Sequence, residues 1–241
     1  MKRFLDIVTS LISLIILSPI LIFFILLVWL SDFKNPFYLG TRVGKNFKKF
    51  KMVKLRSMII DAEKKKVDYT SSNDLRITKI GKIIRKFKID EIFQLINVLI
   101  GQMSVVGPRP NVERDVSIYT EVEKEILSIT PGITDFSSIV FSDEGDILKD
   151  SKDPDLDYNK LIRPWKSRLA LIYVKKSSFV IDIYLIFLTG VSLLNKKKSL
   201  ILLSGILNKL TDNKELLNVV LRENKLAPYP PPGSSKVVDK R

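Results

Sequence analysis

Residues 88–110 read "KIDEIFQLINVLIGQMSVVGPRP". Two adjacent carboxylates, Asp90 and Glu91, close a stretch, residues 78–89, that holds five cations and no acid. Seventeen residues on, Gly107-Pro108-Arg109-Pro110 follows. A carboxylate in this setting can act as a phosphoryl nucleophile or bind a hard cation. Pro108 and Pro110 restrict the backbone on either side of Arg109, and a guanidinium held in this way suits two-pronged recognition of phosphate. The plainer account is a helix on which Lys86 pairs with Asp90 and Lys88 with Glu91, each pair contributing a few tenths of a kcal/mol, followed by a stiff turn. The position of the pair on a basic amphipathic helix, with a rigid arginine following, favours chemistry.

Composition limits which chemistry. The chain has 241 residues, no Cys and no His. Thiol nucleophiles, disulfides, Cys/His metal sites and Ser-His pairings are therefore absent. Any metal would be hard and oxygen-ligated, such as Mg²⁺. The net charge of +14 calls for anionic partners, either phosphates or an acidic membrane surface. Nucleic acid fits less well, because the cations flank an apolar anchor and no base-reading motif is present.

The elements that must position the pair begin with that anchor. Residues 11–30, "LISLIILSPILIFFILLVWL", carry no charge, and roughly 20 apolar residues are what a helix needs to cross a bilayer. Trp29, Leu30, Ser31 and Asp32 end the run where a secretory signal would place small residues for cleavage, so the segment is retained. Lys2 and Arg3 precede it, and Lys34, Arg42, Lys45 and further cations follow. Both flanks thus ask for the cytoplasmic side. Pro19 kinks or breaks the helix mid-run, and Ser18 can satisfy a freed carbonyl. Charge and proline alone leave two readings open: a kinked single span, or a helix-break-helix that re-enters on the same face.

Beyond the anchor, "FKMVKLRSM" alternates as a short strand, and residues 61–77 read as loop after a short helical start. From Thr78 to Ile100 apolar residues recur at helical spacing, which predicts one long basic amphipathic helix suited to a membrane surface. Residues 111–129 predict another helix, "ITDFSSIVF" a strand, and residues 142–158 an acidic, turn-rich stretch. Residues 164–194 and 199–207 read as helices. The Pro-rich tail "PYPPPGSSKVVDKR" reads as disordered. The expected division is 1–32 membrane helix, 33–195 catalytic domain, and 196–241 C-terminal helical extension with a disordered tail.

Taken together, "KRFLDIVTSLISLIILSPI", "GTRVGKNFKKFKMVKLRSM", "DAE", "DLRITKIGKIIRKFKIDEIFQLINVLIGQMSVVGPRP", "PGIT" and "YVKKSSFVIDIYLIFLT" resemble the bacterial sugar transferases. These are monotopic phosphoglycosyl transferases that start polyprenyl-linked glycan assembly. The resemblance covers roughly residues 2–190. It implies a mainly helical α+β fold with a re-entrant N-terminal helix broken at Ser18-Pro19, lying on the cytoplasmic face of the bacterial inner membrane. It also implies that Asp90 and Glu91 are the catalytic dyad. Asp90 would attack the β-phosphate of a nucleotide diphosphate sugar, UMP would leave, and polyprenyl phosphate would displace the aspartate. Glu91 would help hold Mg²⁺. Arg85, Arg109, Lys54 and Arg56 would bind phosphate.

Two departures from the family pattern stand out. After "PGIT", where many members have a Gly, a Gln and a Gly-Arg, this chain reads "DFSSIVFSDEGD"; where many have an Asp, three residues before Tyr173, it has Ala170. No uridine or sugar contact is assigned there, and Asp143 and Glu144 are the candidates to substitute. Two other functions compete. One is a non-enzymatic, membrane-anchored basic protein that binds anionic lipid, indifferent to Mg²⁺ and to Asp90→Asn. The other is a transferase that moves the sugar alone and releases a nucleoside diphosphate.

Overall fold

The computed structural model describes residues 1–62 and 69–239; Glu63 of the "DAE" segment lies outside the described residues. The break expected at Ser18-Pro19 is absent: Lys2–Asp32 form α1, one uninterrupted helix with Pro19 inside it. Pro19 brings no N–H to the helix, and one turn back Ser18 Oγ donates to Ile15 O at 2.8 Å. Among the described residues α1 is the one helix long and apolar enough to cross a membrane, with a mean hydropathy of 3.1 over its most apolar window. Most of it is uncovered: Phe4, Ile16, Phe23 and Leu30 are exposed, whereas Asp6, Ser10, Leu21 and Val28 are buried. Both ends bond to the rest of the protein. Lys2 Nζ meets Asp182 Oδ2 at 2.6 Å, and Arg3 donates to the carbonyls of Val98 and Leu99. At the other end Asp32 accepts from Arg56 at 2.5 and 2.7 Å.

β1 (Phe37–Val43) and β2 (Lys49–Leu55) form an antiparallel hairpin, in register from Phe37↔Leu55 to Val43↔Lys49. The expected strand in "FKMVKLRSM" is β2. Its Phe50, Met52 and Leu55 are buried while Lys49 and Lys51 face solvent, the alternation of a strand covered on one face.

The long helix expected from Thr78 is three helices. Thr78 caps α2 (Lys79–Lys86) by accepting from Gly81 N. Phe87 leaves helical geometry, and Lys88 adopts φ 57°, ψ 23°. α3 (Ile89–Ile92) and α4 (Gln94–Leu99) then follow. The break has a packing reason. Ile84 and Ile89 are five residues apart, off the 3.6-residue period, yet both join Phe93 in a cluster with Leu21 and Val28 of α1 and Leu55 of β2. The left-handed turn at Lys88 permits that.

A second, parallel pair joins β3 (Ser104–Val106) to β4 (Gly132–Thr134). Between them, the single helix expected over 111–129 is α5 (Glu113–Ser117), α6 (Glu121–Lys124) and a 3₁₀ turn, Glu125–Ser128. Thr120 interrupts it by starting α6 with a capping box to Glu123. The strand expected in "ITDFSSIVF" does not run through. Asp135 accepts from Ser138 N and opens α7 (Phe136–Val140), so pairing ends at Thr134.

α8 (Glu144–Ile147), α9 (Pro154–Asp157), a π-turn (Tyr158–Ile162), α10 (Arg163–Lys176), α11 (Phe179–Leu194), α12 (Lys196–Leu210) and α13 (Lys214–Leu221) complete the chain. Their main core centres on Phe136, Ile139, Leu169, Leu185 and Leu203. Thus the fold is mainly helical α+β. The tail expected to be disordered is packed instead. Tyr229 stacks on Trp165 at 4.2 Å between centroids, and Arg168 donates to Pro230 O at 2.9 Å. Prolines enter the unfolded chain already restricted, so ordering them costs little entropy, and the aromatic pair supplies the contact.

Candidate active site

The turn at Lys88 points Asp90 and Glu91 into a cleft of about 1700 Å³. Lys54 from β2, Arg85 from α2, the dyad from α3, and Arg109 line it. Ser13 and Leu17 of α1 line it too, with Ile92 and Leu95, as do Tyr158, Glu144 and Lys166, the last of which contacts the other two.

Arg109 is aimed by backbone close-packing. Gly107 N donates to Thr134 O and Gly132 N to Pro108 O, both at 2.9 Å. A Cβ on Gly132 would lie 2.1 Å from Gly107 N, so the "GPRP" and "PGIT" segments can approach only as glycines. With its backbone stitched there, Arg109 donates to Ile133 O at 3.1 Å and to both oxygens of Glu91, at 2.5 and 3.1 Å. Lys54 Nζ lies 3.5 Å from Glu91 and 4.0 Å from Asp90. The pairs Lys86–Asp90 and Lys88–Glu91 expected on a continuous helix do not form, because the turn at Lys88 intervenes.

The two carboxylates are treated differently. Burial would raise the Glu91 pKa, but Arg109 and Lys54 outweigh it and hold the group well below the ordinary glutamate value. For Asp90 burial is the largest influence and pushes its pKa up, against the pull of Lys54, with the negative Glu91 adding to the rise. Lys54 is itself shifted down by burial, against the two acids. The arrangement is one fixed carboxylate beside one desolvated carboxylate, inside a cationic surround.

The other sequence candidates divide. Arg85 lines the cleft, and its charge favours the ionised form of Asp90. Arg56 also lines it, but its guanidinium is committed to Asp32 and to Asn35 O. Glu144 lines the cleft and meets Lys166 Nζ at 2.7 Å. Asp143 instead pairs with Lys196 at 2.6 Å and Arg222 at 3.6 Å. Ala170 packs with Ile126 and Leu171 and does not line the cleft. Ser18 and Pro19 lie on α1 outside the cleft. Sequence reasoning missed Lys166, Tyr158, Tyr69 and Arg42 as cleft residues. Only Arg42 carried a signal, as one of many cations after the anchor. Tyr158 is brought in by a π-turn that no periodicity announces.

This constellation can be compared with known proteins. The model for the family described as bacterial sugar transferase matches residues 1–196. The chain belongs to the bacterial sugar transferase family. Among similar sugar transferases, the Rhizobium leguminosarum bv. phaseoli exopolysaccharide production protein PSS is 37% identical over 209 residues, covering 82% of this chain and 97% of that protein. A Bacillus subtilis (strain 168) protein, provisionally named undecaprenyl-phosphate N-acetylgalactosaminyl 1-phosphate transferase, is 46% identical over 134 residues, 55% of this chain and 70% of its own. The Klebsiella pneumoniae UDP-glucose:undecaprenyl-phosphate glucose-1-phosphate transferase is 33% identical over 192 residues, 78% of this chain and 39% of that larger protein. This sugar transferase is therefore an enzyme whose relatives are named as sugar-phosphate transferases to undecaprenyl phosphate, and the dyad sits within the matched region.

Proposed function

We propose that the protein transfers a sugar 1-phosphate from a UDP-sugar to undecaprenyl phosphate, as the first step in building an exported polysaccharide. The observation that carries this reading is the unequal dyad: Glu91 is clamped by Arg109, while Asp90 accepts no hydrogen bond from the described residues, lies 4.0 Å from Lys54, and shares the cleft with Arg85 and Arg109. A phosphoryl nucleophile needs a free lone pair, and a diphosphate needs cations to approach it.

In the proposed sequence an Asp90 oxygen attacks the phosphorus that bears the sugar. The bond from that phosphorus to the bridging oxygen breaks, and UMP leaves with the electron pair. The sugar phosphate is then an acyl phosphate on Asp90. An oxygen of undecaprenyl phosphate attacks the same phosphorus, the bond to Asp90 breaks, and the free carboxylate returns. Arg109, Arg85 and Lys54 offset the charge of the diphosphate and of departing UMP. Among the described residues no three acids converge as a metal cage, but Mg²⁺ is ordinarily held by one or two carboxylates together with substrate phosphates. Asp90 and Glu91 fit that need, Glu91 as the proposed ligand. Bound there, Mg²⁺ would neutralise phosphate charge.

The proposed site of action is the cytoplasmic face of the inner membrane. Two ion pairs support it. Lys2–Asp182 and Asp32–Arg56 tie opposite ends of α1 to one domain, so the two ends share a side. The exposed Leu, Ile and Phe residues between them would dip into one leaflet and return, with Ser18-Pro19 at the bend. Basic residues after α1 would face anionic lipid. The water-soluble donor and the lipid acceptor would thus meet at the headgroups.

The test supplies purified protein with labelled UDP-N-acetylgalactosamine or UDP-glucose, undecaprenyl phosphate and Mg²⁺. Release of UMP, and labelled phosphosugar retained on the protein when lipid is withheld, are the expected results. Release of UDP, or turnover undiminished by Asp90→Asn, sinks the reading.

A further inference from the structure

The family match ends at residue 196, yet the residues beyond it pack against segments that line the cleft. Two attachments do this. At the first, Arg222, the C-cap of α13, places its guanidinium 5.4 Å from the centre of the Phe141 ring and 3.6 Å from Asp143. Lys196, at the start of α12, meets the same Asp143 at 2.6 Å. Phe141 and Glu144, on either side of this contact, line the cleft. At the second, the strap after α13 crosses α10. Tyr229 N donates to Lys160 O at 3.0 Å. Lys160 lies inside the π-turn. Tyr229 also stacks on Trp165, and Arg168 packs over the Tyr229 ring at 4.7 Å while donating to Pro230 O. Thr120 Oγ1 donates to Pro232 O beyond it.

The π-turn carries Tyr158, and α10 carries Lys166 beside Trp165. Both line the cleft, and Lys166 closes the gap to Glu144 at 2.7 Å while lying 5.3 Å from the centre of the Tyr158 ring. The contacts form a ring: Asp143–Glu144, Lys166, the π-turn, the strap, α13, and back through Arg222 to Asp143. The wall this ring frames includes the segment "DFSSIVFSDEGD". The Glu144–Lys166 ion pair gives this wall a charged, polar face on the cleft.

We propose that residues 196–232 act as a clamp that sets the shape of the donor-binding wall, with Arg222 and Tyr229 as positioning residues acting through Glu144, Lys166 and Tyr158. The ligand class is the polar, water-soluble part of the sugar nucleotide, for which the Glu144–Lys166 pair offers an acceptor and a donor side by side. This rests on the transfer reaction proposed above. The clamp touches none of Asp90, Glu91 or Arg109, so loosening it alters donor binding and spares the chemical step.

The experiment measures steady-state kinetics of full-length Arg222→Gln and Tyr229→Leu, varying the accepted UDP-sugar and undecaprenyl phosphate separately. A donor KM raised about fivefold or more, with kcat and the lipid KM within about twofold, is the expected result. Tyr229→Phe keeps the stack but loses the hydroxyl's hydrogen bond to Glu215 of α13, so its donor KM should lie near wild type and well below that of Tyr229→Leu. Equal effects on both substrates, or a lowered Tm with an unchanged donor KM, overturn the proposal. Where Arg222→Gln fails to fold, Arg222→Lys replaces it: this keeps the charge and loses the flat contact with Phe141, and a normal donor KM there overturns the proposal equally. Wild-type protein that releases no UMP would instead refute the underlying reaction, so the two failures are distinct.

Discussion

Arg109 grips the Glu91 carboxylate with both prongs, at 2.5 and 3.1 Å. That contact does two things at once. It removes Glu91 from competition as a nucleophile, and it holds a guanidinium on the cleft that Asp90 also lines, where phosphate charge must be received. Lysine can supply the charge but not the two-pronged geometry. Arg109→Lys should therefore lower kcat by about 100-fold, the scale of losing one well-placed charge-stabilising donor, while circular dichroism and Tm stay near wild type. An effect under fivefold would remove Arg109 from the proposed chemistry.

The close approach of two backbones gives a second expectation. A Cβ at position 132 would meet Gly107 N at 2.1 Å and Gly107 O at 2.5 Å. Both atoms are main chain and cannot swing aside. Gly132→Ala should destabilise the protein by about 1–3 kcal/mol or more, seen as a lower denaturant midpoint. It should also depress kcat, because Arg109 hangs from the displaced segment.

Away from the site, stability leans on an ion pair with almost no solvent contact. Arg163 donates to Glu123 at 3.0 and 2.5 Å, to Ile118 O and to Asn159. Glu123 also accepts from Ser167 and closes the cap of α6. Removing one partner strands the other charge. Arg163→Met should cost about 3–5 kcal/mol in a denaturant titration. The double change Arg163→Met with Glu123→Leu should recover part of that loss, since no charge then remains buried.

The path of α1 is open to direct test because the chain has no cysteine. One cysteine placed before Met1 and another at position 34 (Lys34→Cys), in separate proteins in sealed vesicles, should react with an impermeant maleimide from the same side. Labelling from opposite sides would establish a full span and contradict the same-side placement drawn from Lys2–Asp182 and Asp32–Arg56.

Removing divalent cations checks the proposed role of Glu91. Excess EDTA should abolish transfer and added Mg²⁺ should restore it. Full activity in EDTA would discard the metal.

The sequence by itself determined the parts that depend on residue type and short spacing. An uncharged run long enough for a membrane-scale helix, the alternation of β2, the absence of His and Cys, and Asp90-Glu91 followed by a proline-flanked Arg109 were all legible there. The tertiary structure decided what depends on distant partners. The helix expected through Lys88 breaks because Ile84 and Ile89 must reach the same cluster on α1, and a hydrophobic pattern does not say which surface it will meet. The family resemblance implies a phosphate role for Arg56 beside Lys54, yet Asp32, 24 residues earlier, holds it. Asp143 and Glu144 are neighbours in sequence but face opposite partners, Lys196 and Lys166. The Pro-rich tail looked unable to fold by composition, but Trp165 gives Tyr229 a ring to stack on. Local preference is written in neighbouring residues. Which groups end up buried together, and so which charges are shifted and which arginine is free, is set by contacts between segments far apart in the chain.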